Sequence, residues 1–134
     1  MGAWAEDTFG NDTACDWIDT FLSNPRLDVV KEAIQVVIDS EEYLDSDEAC
    51  VGLAACEVVA RLHGNWGVRN AYTEELDKWI EANPISVSNE LKESCKTAID
   101  RVLAPNSELL ELWDEGGRDE CWHQAVDDLR DRLS

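Results

Sequence analysis

Three arrangements in this sequence have the residue types and spacing to do chemistry. The first is Glu57, the only charged residue in Ala49 to Ala60, a stretch that is otherwise apolar nearly all round. A carboxylate there must find a cationic partner or be driven toward its acid form. It reads either as a tuned general base or ligand, or as an ion pair with Arg61, one helical turn later in the favourable acid-to-base order, joined by Arg69. The ion pair is the stronger reading. The second arrangement is Glu120-Cys121-Trp122-His123, whose Glu-x-x-His spacing sets a carboxylate and an imidazole on one helix face. Dinuclear bundle sites need that pair twice plus two more carboxylates. The other histidine, His63, has Ala60 three residues before it, so half the ligands are missing and no metal site is expected. The third is the acidic decade holding Asp39, Glu41, Glu42, Asp45, Asp47 and Glu48 with no positive charge. Asp45 to Glu48 opens like a calcium loop, but the required glycine and the closing bidentate glutamate are absent. A solvated acidic turn, available to a partner, is the expectation.

No nucleophile motif accompanies these groups. There is no G-x-S-x-G and no glycine-rich phosphate loop. No catalytic residue and no cofactor is assigned. With thirty carboxylates in the chain, some pair of them will lie close by chance. The cysteines, Cys15, Cys50, Cys56, Cys95 and Cys121, are odd in number, lack C-x-x-C spacing and fall in apolar helical stretches. They read as small buried hydrophobes in a reducing cytoplasm.

The elements that must position these residues are helices. Ala14, Trp17, Ile18 and Phe21 form the first stripe at spacings of three and four, with Asn11 as its cap and Asp12 and Asp16 near its positive end. Asn24-Pro25 caps and opens a second helix carrying Val29, Val30, Ala33, Ile34, Val37 and Ile38. Asp45 or Ser46 caps a third that ends at Gly64. Because it is apolar on all sides and rich in small residues, it belongs at the centre. A fourth starts near Thr73 and stops at Asn83-Pro84. Ser88 opens a fifth, and Pro105-Asn106-Ser107 ends it. A short sixth runs to Gly116-Gly117, and a last helix carries Trp122, Ala125, Val126, Leu129 and Leu133. No useful stretch alternates with period two. The expectation is an all-α, compact single-domain bundle over 1–134, of about six to seven short helices, with an irregular N-terminal segment packed on it.

The six tryptophans outnumber the four tyrosines and phenylalanines together. Trp17, Trp79, Trp113 and Trp122 fall on apolar stripes and read as core. Trp4 and Trp66 sit beside glycine in non-helical segments and read as lids over the bundle, with partner anchors as the alternative.

Composition narrows the function classes. Eleven Lys plus Arg against thirty Asp plus Glu give a formal net charge of −19, while apolar residues make up 44%. That balance argues against nucleic acid and anionic membranes, and not for disorder. The longest mostly apolar uncharged run, Ala49 to Cys56, is far short of the roughly 20 residues a membrane span requires. Glu6 and Asp7, with no basic residue before Arg26, do not make a secretory leader, so a cytoplasmic location is expected. The same charge opposes self-association, which points to a monomer or a weak homodimer.

The opening, Met1-Gly2-Ala3-Trp4 followed by Phe9-Gly10-Asn11-Asp12-Thr13-Ala14-Cys15-Asp16-Trp17, resembles an uncharacterised bacterial family, domain-of-unknown-function family 4259. Its members begin M-G-x-W-G and continue F-x-N-D-x-A-x-D-W; Ala5 stands here where the pattern has glycine. The small-residue helix Ala54-Ala55-Cys56-Glu57 and the ending with Leu112-Trp113, Trp122 and Leu129-Arg130-Asp131-Arg132-Leu133 are similar to the family as well. The resemblance implies a small, soluble, mostly helical protein and supplies no catalytic residues. It marks Trp4, Asn11, Asp12, Asp16 and Trp17 as a motif to watch, although a cap and a packed aromatic account for it.

Three functions compete. A non-enzymatic binding module, of the immunity type that neutralises a basic protein or toxin, would use the six acids of 39–48. An enzyme or metal-binding protein would use Glu57, Glu120 and His123. Salt adaptation would explain the acids, and the four Lys against seven Arg, without any partner.

Overall fold

The structure is a computed structural model describing residues 12–66, 73–117 and 119–133. They form seven helices: α1 (Asp12–Ser23), α2 (Leu27–Ile38), α3 (Ser46–Leu62), α4 (Glu74–Ala82), α5 (Asn89–Val102), α6 (Glu108–Trp113) and α7 (Glu120–Arg132). The fold class is all-α, as the periodicity predicts. The expected N-terminal packing segment, with Trp4 and Asn11, and the expected Arg69 lie outside the described residues.

α3 is the axle, touching each of the other six helices. Between Ala49 and Arg61 every residue except Val51 is buried. Each large aliphatic side chain so buried contributes about 1.5–3 kcal/mol. Gly52 sets the closest crossing: a β-carbon there would lie 2.5 Å from Val37 Cγ2, so α2 rests almost on the α3 backbone. Asp45 starts the helix, its carboxylate accepting from the Asp47 N–H at 2.7 Å and the Glu48 N–H at 3.4 Å. Gly64, at φ +93°, stops it in the left-handed region.

The other termini follow the sequence with one correction. Ser88 caps α5 through the Leu91 N–H at 3.1 Å, and Asp119 caps α7 through the Trp122 N–H at 3.0 Å. The second helix, however, is not capped by Asn24-Pro25. Arg26 holds the cap position without a side-chain bond, and the helix begins at Leu27. Asn24 instead closes the preceding turn, its N–H donating to the Phe21 carbonyl at 3.1 Å.

Among the described residues there is no strand, only one parallel bridge between Leu44 and Ser107. The Leu44 N–H donates to the Asn106 carbonyl at 2.8 Å, and the Glu108 N–H donates to the Leu44 carbonyl at 2.9 Å. No helix of the described residues is long and apolar enough to cross a membrane.

Tryptophan behaves less uniformly than its stripes suggest. Trp122 is fully buried, whereas Trp17, Trp79 and Trp113 are only partly covered and pack against the core from its edge. Trp17 stacks on Phe21, and Trp79 meets Phe21 edge-on. The cysteines also divide. Cys50, Cys56 and Cys95 are buried, Cys15 is half-buried, and Cys121 is exposed, contrary to the expectation for all five. Cys121 escapes because the buried face of α7 is the one that carries Trp122 and Val126.

Candidate functional site

Two groupings emerge from the residues singled out by sequence: a buried ion network and an exposed acidic loop.

The network begins at Glu57, which is 3% exposed. Among the described residues its shortest contacts are to Arg132, the last residue of α7. The Arg132 guanidinium makes a two-pronged contact, Nη2 to Glu57 Oε1 at 2.6 Å and Nη1 to Oε2 at 3.0 Å. This fork geometry is the strong form of a carboxylate pair. Arg61 Nε lies 3.4 Å from Glu57 Oε2, so the predicted turn-to-turn pair exists in second place. Arg61 in turn pairs through Nη1 with Asp77 of α4, and the Thr73 hydroxyl donates to the other Asp77 oxygen at 2.8 Å. Arg132 Nε also reaches Asp128 at 2.8 Å, and the Asn65 side-chain amide donates to the Arg132 carbonyl at 2.7 Å.

Among the described residues Glu57 and Asp77 thus face Arg61 and Arg132, and the ends of α3, α4 and α7 are tied at one junction. Burial opposes the charge on Arg132, but its bonds to Glu57 and Asp128 outweigh that, and the guanidinium is held still more firmly protonated than usual. Trp66 is half-buried with the Arg61 guanidinium 5.8 Å from its ring centre, the placement of a lid rather than of a free anchor.

Arg132 and Asp77 were the residues that sequence reasoning missed. A weak signal exists for each. Arg132 stands three residues after Leu129, at the edge of the buried stripe of α7, and Asp77 stands three before Ile80 and four after Thr73. Nothing local says which opposite charge either of them will meet.

Glu120 and His123 do not work together. His123 is 6% exposed, and its Nε2 lies 3.0 Å from both oxygens of Asp114. Asp114 Oδ1 also accepts the Asp119 N–H at 3.1 Å. The imidazole thus braces the α6–α7 turn, with Trp122 edge-on at 5.0 Å and Trp113 stacked on Trp122 at 6.0 Å. Glu120 is exposed. His123 lies nine residues before Arg132 on one helix, about 13 Å along its axis, so it shares no site with Glu57. Among the described residues no cluster of three or more His, Cys, Asp or Glu has the arrangement of a metal site.

Burial and the Asp47 and Asp45 carboxylates push the Cys50 thiol up to about 12. The Cys56 thiol, donating toward the Cys95 carbonyl at 3.7 Å, is pushed well up by its contact with the Cys95 thiol and by complete burial, with Glu57 adding to both. Such thiols are protonated and inert as nucleophiles.

The acidic loop is different in kind. All six predicted acids, Asp39, Glu41, Glu42, Asp45, Asp47 and Glu48, are exposed. Some of them have structural work. Asp45 caps α3, Asp39 accepts from the Gln35 amide at 2.8 Å, and Asp47 accepts the Thr13 hydroxyl at 3.1 Å. Glu41 and Glu42 are exposed between the helices.

The loop is held from beneath. Leu44 is fully buried in the bridge to Ser107. Arg101 of α5 donates from Nε to the Ser40 carbonyl at 2.9 Å, from Nη1 to the Pro105 carbonyl at 3.3 Å and from Nη2 to the Asn106 carbonyl at 3.2 Å. Glu108 of α6 accepts the Ser46 N–H at 2.8 Å. Its one aromatic, Tyr43, stands 51% exposed among the acids, its hydroxyl donating to Glu111 at 3.2 Å. The phenol is pushed above its usual range by partial desolvation and by the Glu111 carboxylate, with Glu108 and Asp45 adding to it. Tyr43, Glu108, Glu111 and the Arg101 clamp are additions that the structure makes to this surface.

Of the motif at the chain's start, Asp12 is the first residue of α1, Asp16 is exposed one turn on, and Trp17 stacks on Phe21. These are helix-end and packing roles. The family model described as domain of unknown function DUF4259 matches residues 2–125. No curated protein matches, and no solved structure matches.

Proposed function

The chain belongs to that family of unknown function, and from this premise we propose that it is a non-enzymatic binding module of the immunity type, presenting its acidic 39–48 segment, the α2–α3 loop and the first turn of α3, to a basic protein. The single observation behind this reading is Tyr43, half-exposed in a field of carboxylates on a loop clamped by Arg101 and the Leu44–Ser107 bridge. A protruding aromatic with fixed backbone is the usual anchor of an interface, because it buries much area at small entropic cost. The carboxylates steer a cationic partner toward it and select its sign. A cationic toxin, which such a contact would neutralise, is the partner class that fits. The enzymatic alternative draws no support from Glu57, whose two oxygens are occupied by guanidinium groups.

The test uses the full chain as bait at low salt. Beside it runs a variant carrying Asp39→Asn, Glu41→Gln, Glu42→Gln, Asp47→Asn and Glu48→Gln, with the helix-capping Asp45 left in place. The wild type retains a basic protein that elutes as salt rises, since interactions between exposed charges more than about 10 Å apart are largely screened by 0.1 M salt and shorter ones weaken as salt rises further. The variant loses it. If no basic protein is recovered, or if the five-amide variant retains it equally, the reading is wrong.

A further inference from the structure

We draw no further inference here: the strongest candidate, the half-buried His123–Asp114 pair at the α6–α7 turn, braces that turn through the hydrogen bonds it makes, and nothing in the structure shows what would bind or react beside it.

Discussion

Arg132→Met removes the guanidinium fork from Glu57 and keeps most of the aliphatic stem. The carboxylate then stays inside, and among the described residues it keeps the Arg61 Nε contact at 3.4 Å. Breaking one side of a buried pair costs about 3–5 kcal/mol. The surviving Arg61 contact and the partial exposure of Arg132 place this case at the low end, roughly 3 kcal/mol. For a chain of this length, that lowers the melting midpoint by on the order of 10 °C.

Urea unfolding followed by far-ultraviolet circular dichroism measures the loss. Glu57→Leu combined with Arg132→Met recovers most of the loss, because no unpaired charge is left inside. A deficit below about 1 kcal/mol would refute the claim that this pair is the electrostatic centre of the junction.

Three other perturbations probe the scaffold. Arg101→Met removes the donors to the Ser40, Pro105 and Asn106 carbonyls; amide hydrogen exchange should rise in residues 40–44 while α3 stays protected. Equal exchange in the two proteins would mean that the clamp does not hold the loop. Gly52→Ala should destabilise by about 1–3 kcal/mol through its clash with Val37, despite the better helix propensity of alanine, and Val37→Ala in the same chain should relieve the clash. Thermal melts of the three proteins decide it, and a Gly52→Ala protein as stable as wild type would show that α2 can move aside freely. Brief alkylation of the native protein at pH 8, read by peptide mass spectrometry, should modify exposed Cys121 first and leave Cys50, Cys56 and Cys95 unmodified until the chain unfolds. Early labelling of Cys56 would contradict the packing of α3 on α5.

Much of the fold was legible locally. Ser88 and Asp45 cap where their side chains predict, Gly64 ends α3, and the all-apolar helix is the central one. These features depend on spacings of a few residues, which the chain states directly. The Asn24-Pro25 start failed because a Pro can serve a turn before the helix as well as its first position. The candidate loop was legible as charge, since six acids in ten residues need no tertiary information. Its rigidity was not, because Arg101 and Ser107 come from some sixty residues away.

The sequence by itself determined the helices, the central place of α3, the burial of Glu57 and the acidity of 39–48. Each follows from periodicity, capping or composition within a short window. Only the tertiary structure decided that Glu57 belongs to Arg132, seventy-five residues on, that His123 faces Asp114 rather than Glu120, and that Tyr43 stands out among the acids. The physical reason is that helix geometry fixes which side of an element a charge occupies, whereas the choice of its partner depends on how whole elements pack. In a chain with thirty acids and eleven bases, local spacing leaves many pairings open, and burial at one junction selects among them.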